Sequence, residues 1–173
     1  MDKHIVTNYD NDLEYIKNMI IEMGVLLEKQ MFQAVELIKV SNKEVTLNII
    51  ETEKKIDISE KKIREYATNT LSKRQPLADD LRKIIVSIKL ATTFERIGDH
   101  STNIANRIEI AKVVPSSYTT DSIYRLGQSV LKNLSQALTA YDQNSEKIAV
   151  NVSNEDKKID LIYETCFREH LIL

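Results

Sequence analysis

Apolar residues recur along this chain in steps of three and four. Leu13, Ile16, Ile20, Met23, Gly24, Leu27, Met31, Ala34, Val35 and Ile38 form the first series. That is the period of a helix burying one stripe, and it predicts a helix over residues 13–40. Ser41 and Asn42 interrupt it and are residue types that cap a following helix. A second helix is expected over about 43–72, with Ile49, Ile56 and Ile63 on its inner side. Arg74-Gln75-Pro76 closes it, because Pro favours a new start over a continuation. A third is expected over about 77–113, its inner face carrying Leu81, Ile84, Ile88, Ala91 and Thr92, then Glu95 and Asp99. Pro115-Ser116-Ser117 is the clearest linker. Beyond it, residues 123–141 read as a fourth helix, with Leu126, Val130, Leu134, Ala137 and Leu138 facing in, and a fifth starts near Glu146. Strand-like alternation is absent over any useful length, so the chain reads as all-α, its long helices packing as antiparallel neighbours.

The pattern also repeats. A shift of 103 positions lays Glu53-Lys54-Lys55-Ile56-Asp57 on Asp156-Lys157-Lys158-Ile159-Asp160, Met31 on Leu134, Ala34 on Ala137, and Ser41-Asn42 on Asn144-Ser145. Helices four and five therefore repeat helices one and two. A second copy of Glu95 would fall near position 198, past Leu173. The expected organisation is a first three-helix bundle over 1–114 and two helices of a second over 118–173. Such an open pair would expose Leu134, Leu138, Ile159 and Phe167, a face that a dimer can bury.

Composition narrows the function classes. With 173 residues the chain is long enough for a real core, and only three Gly and two Pro suit long helices. A net charge of −2 offers no electrostatic argument for nucleic acid or an anionic membrane. Cys166 is the sole cysteine, which excludes an intrachain disulfide and any multi-cysteine zinc site. No apolar run approaches the ~20 residues of a membrane span, and the N-terminal residues have no signal-peptide core. A cytoplasmic location is expected. No phosphate-binding glycine loop, nucleophile elbow or kinase signature occurs, so no transfer chemistry is visible.

The candidate chemistry lies in carboxylates. Glu95, Asp99 and Asn103 recur every four residues, which stacks three oxygen-bearing side chains on one helix face. Glu53 and Asp57 form a second pair, and Asp156 and Asp160 a third. Solvated acids paired with Lys54, Lys55 and Arg96 are the ordinary account of such residues. The phase argues otherwise, since stepping on from Ile84, Ile88 and Thr92, or from Ile49, lands on the acids. Carboxylates facing a bundle interior raise their pKa values, pair with bases or recruit a cation. Hard oxygen donors suit Mg²⁺, Ca²⁺, Mn²⁺ or iron. Gly98 inside the motif costs about 1 kcal/mol of helix stability, tolerable where helices approach closely.

The run Leu90-Ala91-Thr92-Thr93-Phe94-Glu95-Arg96-Ile97-Gly98-Asp99-His100, with Asn103-Ile104-Ala105 after it, closely resembles the signature of the PhoU family, regulators of phosphate uptake. The acidic residue before Ile-Asp, at Glu53 to Asp57 and again at Asp156 to Asp160, matches that family's second hallmark. The resemblance implies two tandem three-helix bundles, the second incomplete here. It also implies metal held by Glu53, Asp57, Glu95 and Asp99, with Asn103 as a further ligand or neighbour and Asp156 and Asp160 as half of a second site. Iron, zinc, manganese or magnesium, divalent or trivalent, are the metals expected. The partners implied are the ATPase subunit of a phosphate ABC transporter, a sensor histidine kinase and a second copy of the chain. The role implied is restraint of transport and of the phosphate-starvation response, without catalysis.

Two other functions compete. A carboxylate-bridged metalloenzyme of the ferritin-like kind needs Glu-x-x-His on facing helices, and none occurs. A metal-free helical adaptor would use the acids as ordinary surface charges. His100 is expected at a surface or interface, since it points about 100° away from Asp99. His4 and His170 are isolated, Cys166 reads as a small apolar residue, and Lys73-Arg74 suits a helix C-terminus.

Overall fold

The structure, a computed structural model, describes residues 3–74, 76, 78–111 and 117–171, with side chains for 11–73, 76, 78–111 and 120–168. Five helices account for all secondary structure among them: α1 (Lys3–Leu37), α2 (Lys43–Arg74), α3 (Ala78–Ala111), α4 (Ser117–Asp142) and α5 (Glu146–Leu171). No strand occurs among the described residues.

The caps explain the boundaries. Asn42 Oδ1 accepts hydrogen bonds from the Glu44 and Val45 N–H groups at 2.9 and 3.3 Å, which starts α2. At the repeat-equivalent turn Asn144 takes a left-handed conformation, φ 49°. Ser145 N–H then donates to Ala140 O at 2.9 Å and Asn144 N–H to Tyr141 O at 3.2 Å, closing α4 in a Schellman arrangement. Ser145 Oγ accepts from Ile148 N–H at 3.4 Å and opens α5. Asp79 and Asp80 sit in the first turn of α3, where the helix dipole favours them. Ser117, expected in the linker, begins α4, while Pro115 and Ser116 lie outside the described residues.

The chain divides into two contact units, Met1–Leu27 with Glu51–Asp99, and Glu28–Ile50 with His100–Leu173. In the first, Ile16, Ala67 and Ile84 form a buried cluster joined by Leu13, Tyr66, Leu71 and Ile88. Ile20, Met23, Ile56 and Ile63 are also sealed from solvent. Tyr66 packs its ring 4.8 Å from that of Tyr15 and donates its hydroxyl to Asp12 Oδ1 at 2.8 Å.

In the second unit the cluster is Ala34, Leu37, Ile49 and Ala105, with Val45 and Ile108 against it. Gln30 is fully buried beside it. Its Nε2 donates to Ile49 O and to Thr102 Oγ1, both at 3.2 Å, so one amide ties α1 to α2 and α3. Its Oε1 has no hydrogen-bond partner. Helix α4 meets the end of α1 where Gly127 lies against Val35, and Tyr124 donates to Glu36 Oε1 at 2.7 Å. Gln128 Nε2 donates to the same oxygen at 3.3 Å, and Lys39 Nζ stands 4.0 Å from the Tyr124 ring centroid. Helix α5 packs along α4.

Two expectations about the core need correction. Leu81 and Thr92 are exposed, not inward. The buried stripe of α3 is Ile84, Ser87, Ala91, Phe94, Gly98, Ser101 and Ala105, stepping 3-4-3-4-3-4, the heptad spacing of helices packed along one another. Repeated steps of four drift off such a stripe. Leu134, expected to be uncovered in an open helix pair, is only 9% exposed, because α4 has neighbours in both α1 and α5. Leu138 and Ile159 are half-buried and Phe167 is exposed. Cys166 is buried, as a small apolar residue would be; under the 103-residue shift it corresponds to buried Ile63.

Candidate functional site

Glu53 and Asp57 on α2, and Glu95 and Asp99 on α3, all fall in the first unit and are half-buried. They sit one position beside the buried stripes, next to Thr52, Ile56, Phe94 and Gly98. Their backbones are thus fixed by core packing while their carboxyls stand at its edge.

The acids act on one another across the two helices. Glu53 on α2 and Asp99 on α3 come near enough that a contact between the two carboxyls is among the causes that raise Glu53. Burial, then the charges of Asp57 and Asp99, push Glu53 above the ordinary carboxylate range, against a smaller pull from Lys54. Burial, then Asp99, Asp57 and Glu60, push Glu95 in the same direction, against Arg96. Lys54 and Arg96 are exposed on their helices and only partly offset the concentration of negative charge.

Glu60 was not legible as part of this group. Its side chain is 14% exposed, and its oxygens receive the Arg64 guanidinium at 3.2 and 3.5 Å. Its place, three residues after Asp57 on the same helix face, is the signal that identifies it.

The remaining candidates lie elsewhere. Asn103 is exposed on α3 and belongs to the second unit. Asp156 and Asp160 are exposed on α5. His100 is exposed, and the side chains of His4 and His170 lie outside the described ones. Among the described residues no group of three or more His, Cys, Asp or Glu converges in a geometry that would hold a metal ion. The donor set itself, hard oxygens in excess of nearby positive charge, suits a hard cation.

Residues 20–108 match the PhoU domain family. This chain belongs to the PhoU family. It is 34% identical over 165 residues to a phosphate-specific transport system accessory protein PhoU homolog of Zymomonas mobilis, covering 95% of this chain and 70% of that protein. The homolog of the same description from Rhizobium meliloti is 34% identical over 169 residues, covering 97% and 71%. Among solved structures, PhoU from Pseudomonas aeruginosa superposes with a TM-score of 0.90 at 30% identity, over 95% of this chain and 79% of that one. The phosphate transport system regulatory protein PhoU from Streptococcus pneumoniae shares the fold, with a TM-score of 0.84 at 22% identity. The matched PhoU segment, 20–108, contains Glu53, Asp57, Glu60, Glu95 and Asp99. Among the described residues no helix is long and apolar enough to cross a membrane. The PhoU relatives carry the names of accessory or regulatory proteins of phosphate transport, not of enzymes.

Proposed function

We propose that this protein is a cytoplasmic, non-catalytic regulator that restrains phosphate uptake and the phosphate-starvation response. In this reading it acts on the ATPase subunit of a phosphate ABC transporter and on a sensor histidine kinase, as a homodimer. Its three-helix repeat covers 1–114, and 118–173 is the beginning of a second. The observation carrying the regulatory reading is membership of a family whose relatives are named as phosphate-transport accessory proteins. A clean deletion tests it. Derepressed starvation genes and unrestrained phosphate import are expected, and normal phosphate-responsive expression would refute it.

Glu53, Asp57, Glu95 and Asp99 are proposed as a metal site for iron, zinc, manganese or magnesium. Support comes from four half-buried carboxyls on α2 and α3, whose mutual repulsion helps to raise Glu53 and Glu95. A bound cation would relieve that repulsion. Asn103 would add an oxygen on the next turn of α3, and Asp156 with Asp160 would contribute half of a second site. Metal content of purified protein, compared with a Glu95→Ala/Asp99→Ala variant, tests the assignment. Equal content in both would sink it.

A metal-free adaptor is the second reading. The lack of any pre-assembled group of three donors among the described residues favours it. The same metal measurement separates the two, since the adaptor predicts no bound metal in either protein.

A further inference from the structure

Helix α2 carries its own cation at the edge of the acidic group. Glu53, Asp57, Glu60 and Arg64 step by four, three and four, which keeps them on one side of the helix. Arg64 Nε stands 3.2 Å from Glu60 Oε1, and its Nη2 donates to Oε2 at 3.5 Å. The guanidinium therefore faces both oxygens of one carboxylate. The two partners differ in exposure, since the Glu60 side chain is 14% exposed and that of Arg64 55%. Glu164 and Arg168 on α5 have the same spacing and form the ordinary surface version of such a pair. They touch at 3.4 Å, and that glutamate is 58% exposed.

Glu60 belongs to the acidic group electrically. Its charge is among those that act on Glu95 of α3. Lys54 and Arg96 act on Glu53 and Glu95 as charges, whereas Arg64 is bound to its acid. The internal repeat shows that the pair is not a requirement of this helix. Under the 103-residue shift, Asp156 and Asp160 retain the acids of Glu53 and Asp57, but Tyr163 and Phe167 stand in place of Glu60 and Arg64. The ion pair thus accompanies the four-acid group and is missing where only two acids recur.

A carboxylate held in this way turns to a metal ion only by giving up its guanidinium. The cost of that exchange is small. A half-exposed pair at i, i+4 is worth a few-fold in an equilibrium constant, and water can solvate the released Arg64. A divalent cation among several carboxylates gains more from each added charged oxygen, so the exchange favours the metal.

We propose that Glu60 is a further donor to the metal site and that Arg64 is its built-in competitor, displaced from Glu60 when the cation binds. The inference rests on the reading of Glu53, Asp57, Glu95 and Asp99 as a metal site, and it adds this chain's own control of affinity.

The probe is Mn²⁺, titrated into the full chain near neutral pH at fixed ionic strength, with free Mn²⁺ read from its electron paramagnetic resonance signal. Glu60→Gln is expected to raise Kd about tenfold. Arg64→Gln is expected to lower it about threefold, the size of a half-exposed ion pair. Displacement predicts that the gain from Arg64→Gln vanishes in a Glu60→Gln background, whereas a guanidinium that merely repels the metal gives the same gain in both backgrounds. Equal gains, or an unchanged Kd in Glu60→Gln, overturn the proposal. A second readout follows the wild-type chain labelled with ¹⁵N-arginine, in which the Arg64 Nε–H resonance is identified by its loss in Arg64→Gln. It should move towards the resonances of exposed arginines as diamagnetic Mg²⁺ is added to saturation, and a resonance that stays in place overturns the proposal too. Wild-type protein that binds no Mn²⁺ refutes the metal reading and this inference with it. Wild-type binding with unaltered variants refutes the inference alone, so the two failures are distinguishable.

Discussion

Gly127 offers a test in which a single methyl group changes sign with its surroundings. A Cβ on Gly127 would lie 2.9 Å from one γ-carbon of Val35 and 3.1 Å from the other. Val35 is 3% exposed and β-branched, so neither methyl can swing away without the other closing in. Two effects then compete in Gly127→Ala. Helix propensity favours Ala by about 1 kcal/mol in a helix interior, and α4 runs ten residues to the N-terminal side and more to the other. Overpacking against a stiff neighbour costs about 1–3 kcal/mol. The net expectation is destabilisation by about 0–2 kcal/mol. In a Val35→Ala background the obstacle is gone, and Gly127→Ala should stabilise by about 1 kcal/mol, although Val35→Ala alone costs about 2 kcal/mol in buried methyl groups. Urea unfolding of the four proteins of this cycle, followed by helical circular dichroism, reads both numbers and their coupling. If Gly127→Ala stabilises the wild-type and Val35→Ala proteins equally, α4 does not approach α1 as described.

Three further outcomes are expected. In metal-free protein, Glu53 and Glu95 have raised pKa values, so their contribution to stability is complete below the ordinary value of 4.5 and is lost as pH rises through the raised value. Glu53→Gln/Glu95→Gln should therefore be more stable than wild type at about pH 7, with the gap narrowing towards pH 4.5 in thermal melts; a gap that widens on acidification would contradict the charge repulsion argued here. Asn42→Ala removes the acceptor for two N–H groups at the start of α2 and should cost about 1 kcal/mol in urea unfolding, with Asn42→Asp retaining most of it. Tyr124→Phe leaves half-buried Glu36 without its 2.7 Å donor and should cost about 1–2 kcal/mol, whereas an unchanged midpoint would show that water replaces the hydroxyl equally well as donor to Glu36.

The helices were legible because their apolar stripes are long and regular, and because Asn42 and Ser145 announce their starts. The early beginning of α1 at Lys3 was not, since residues 8–12 are polar and give no stripe to follow. The inner face of α3 was read from Leu81, Ile88 and Thr92. Part of what it buries is small or hydroxylated, at Ser87, Gly98 and Ser101, and close helix packing selects for size where hydropathy does not register it. Buried hydroxyls such as Ser87 on α3, and Thr46 and Thr70 on α2, donate to the carbonyl one turn back. The four central acids stood out by their spacing, their phase with the apolar stripes and the PhoU-like run, whereas Glu60 was missed because Lys61 and Lys62 beside it make it look like an ordinary solvated charge. The coupling of Glu53 to Asp99 depends on a contact between helices that no local pattern encodes.

Gln30 shows what a polar side chain achieves where a leucine would fit. Its amide nitrogen has both acceptors only when α1 stands at one height beside α2 and α3. Sliding α1 by a single turn would leave an apolar stripe still facing apolar stripes, at little hydrophobic loss, but would strand a buried amide with neither end bonded. The orphaned Oε1 is the stability given up even in the native arrangement. Gln30 is thus a lock on axial position, choosing among helix alignments that greasy contacts alone would score as near equals.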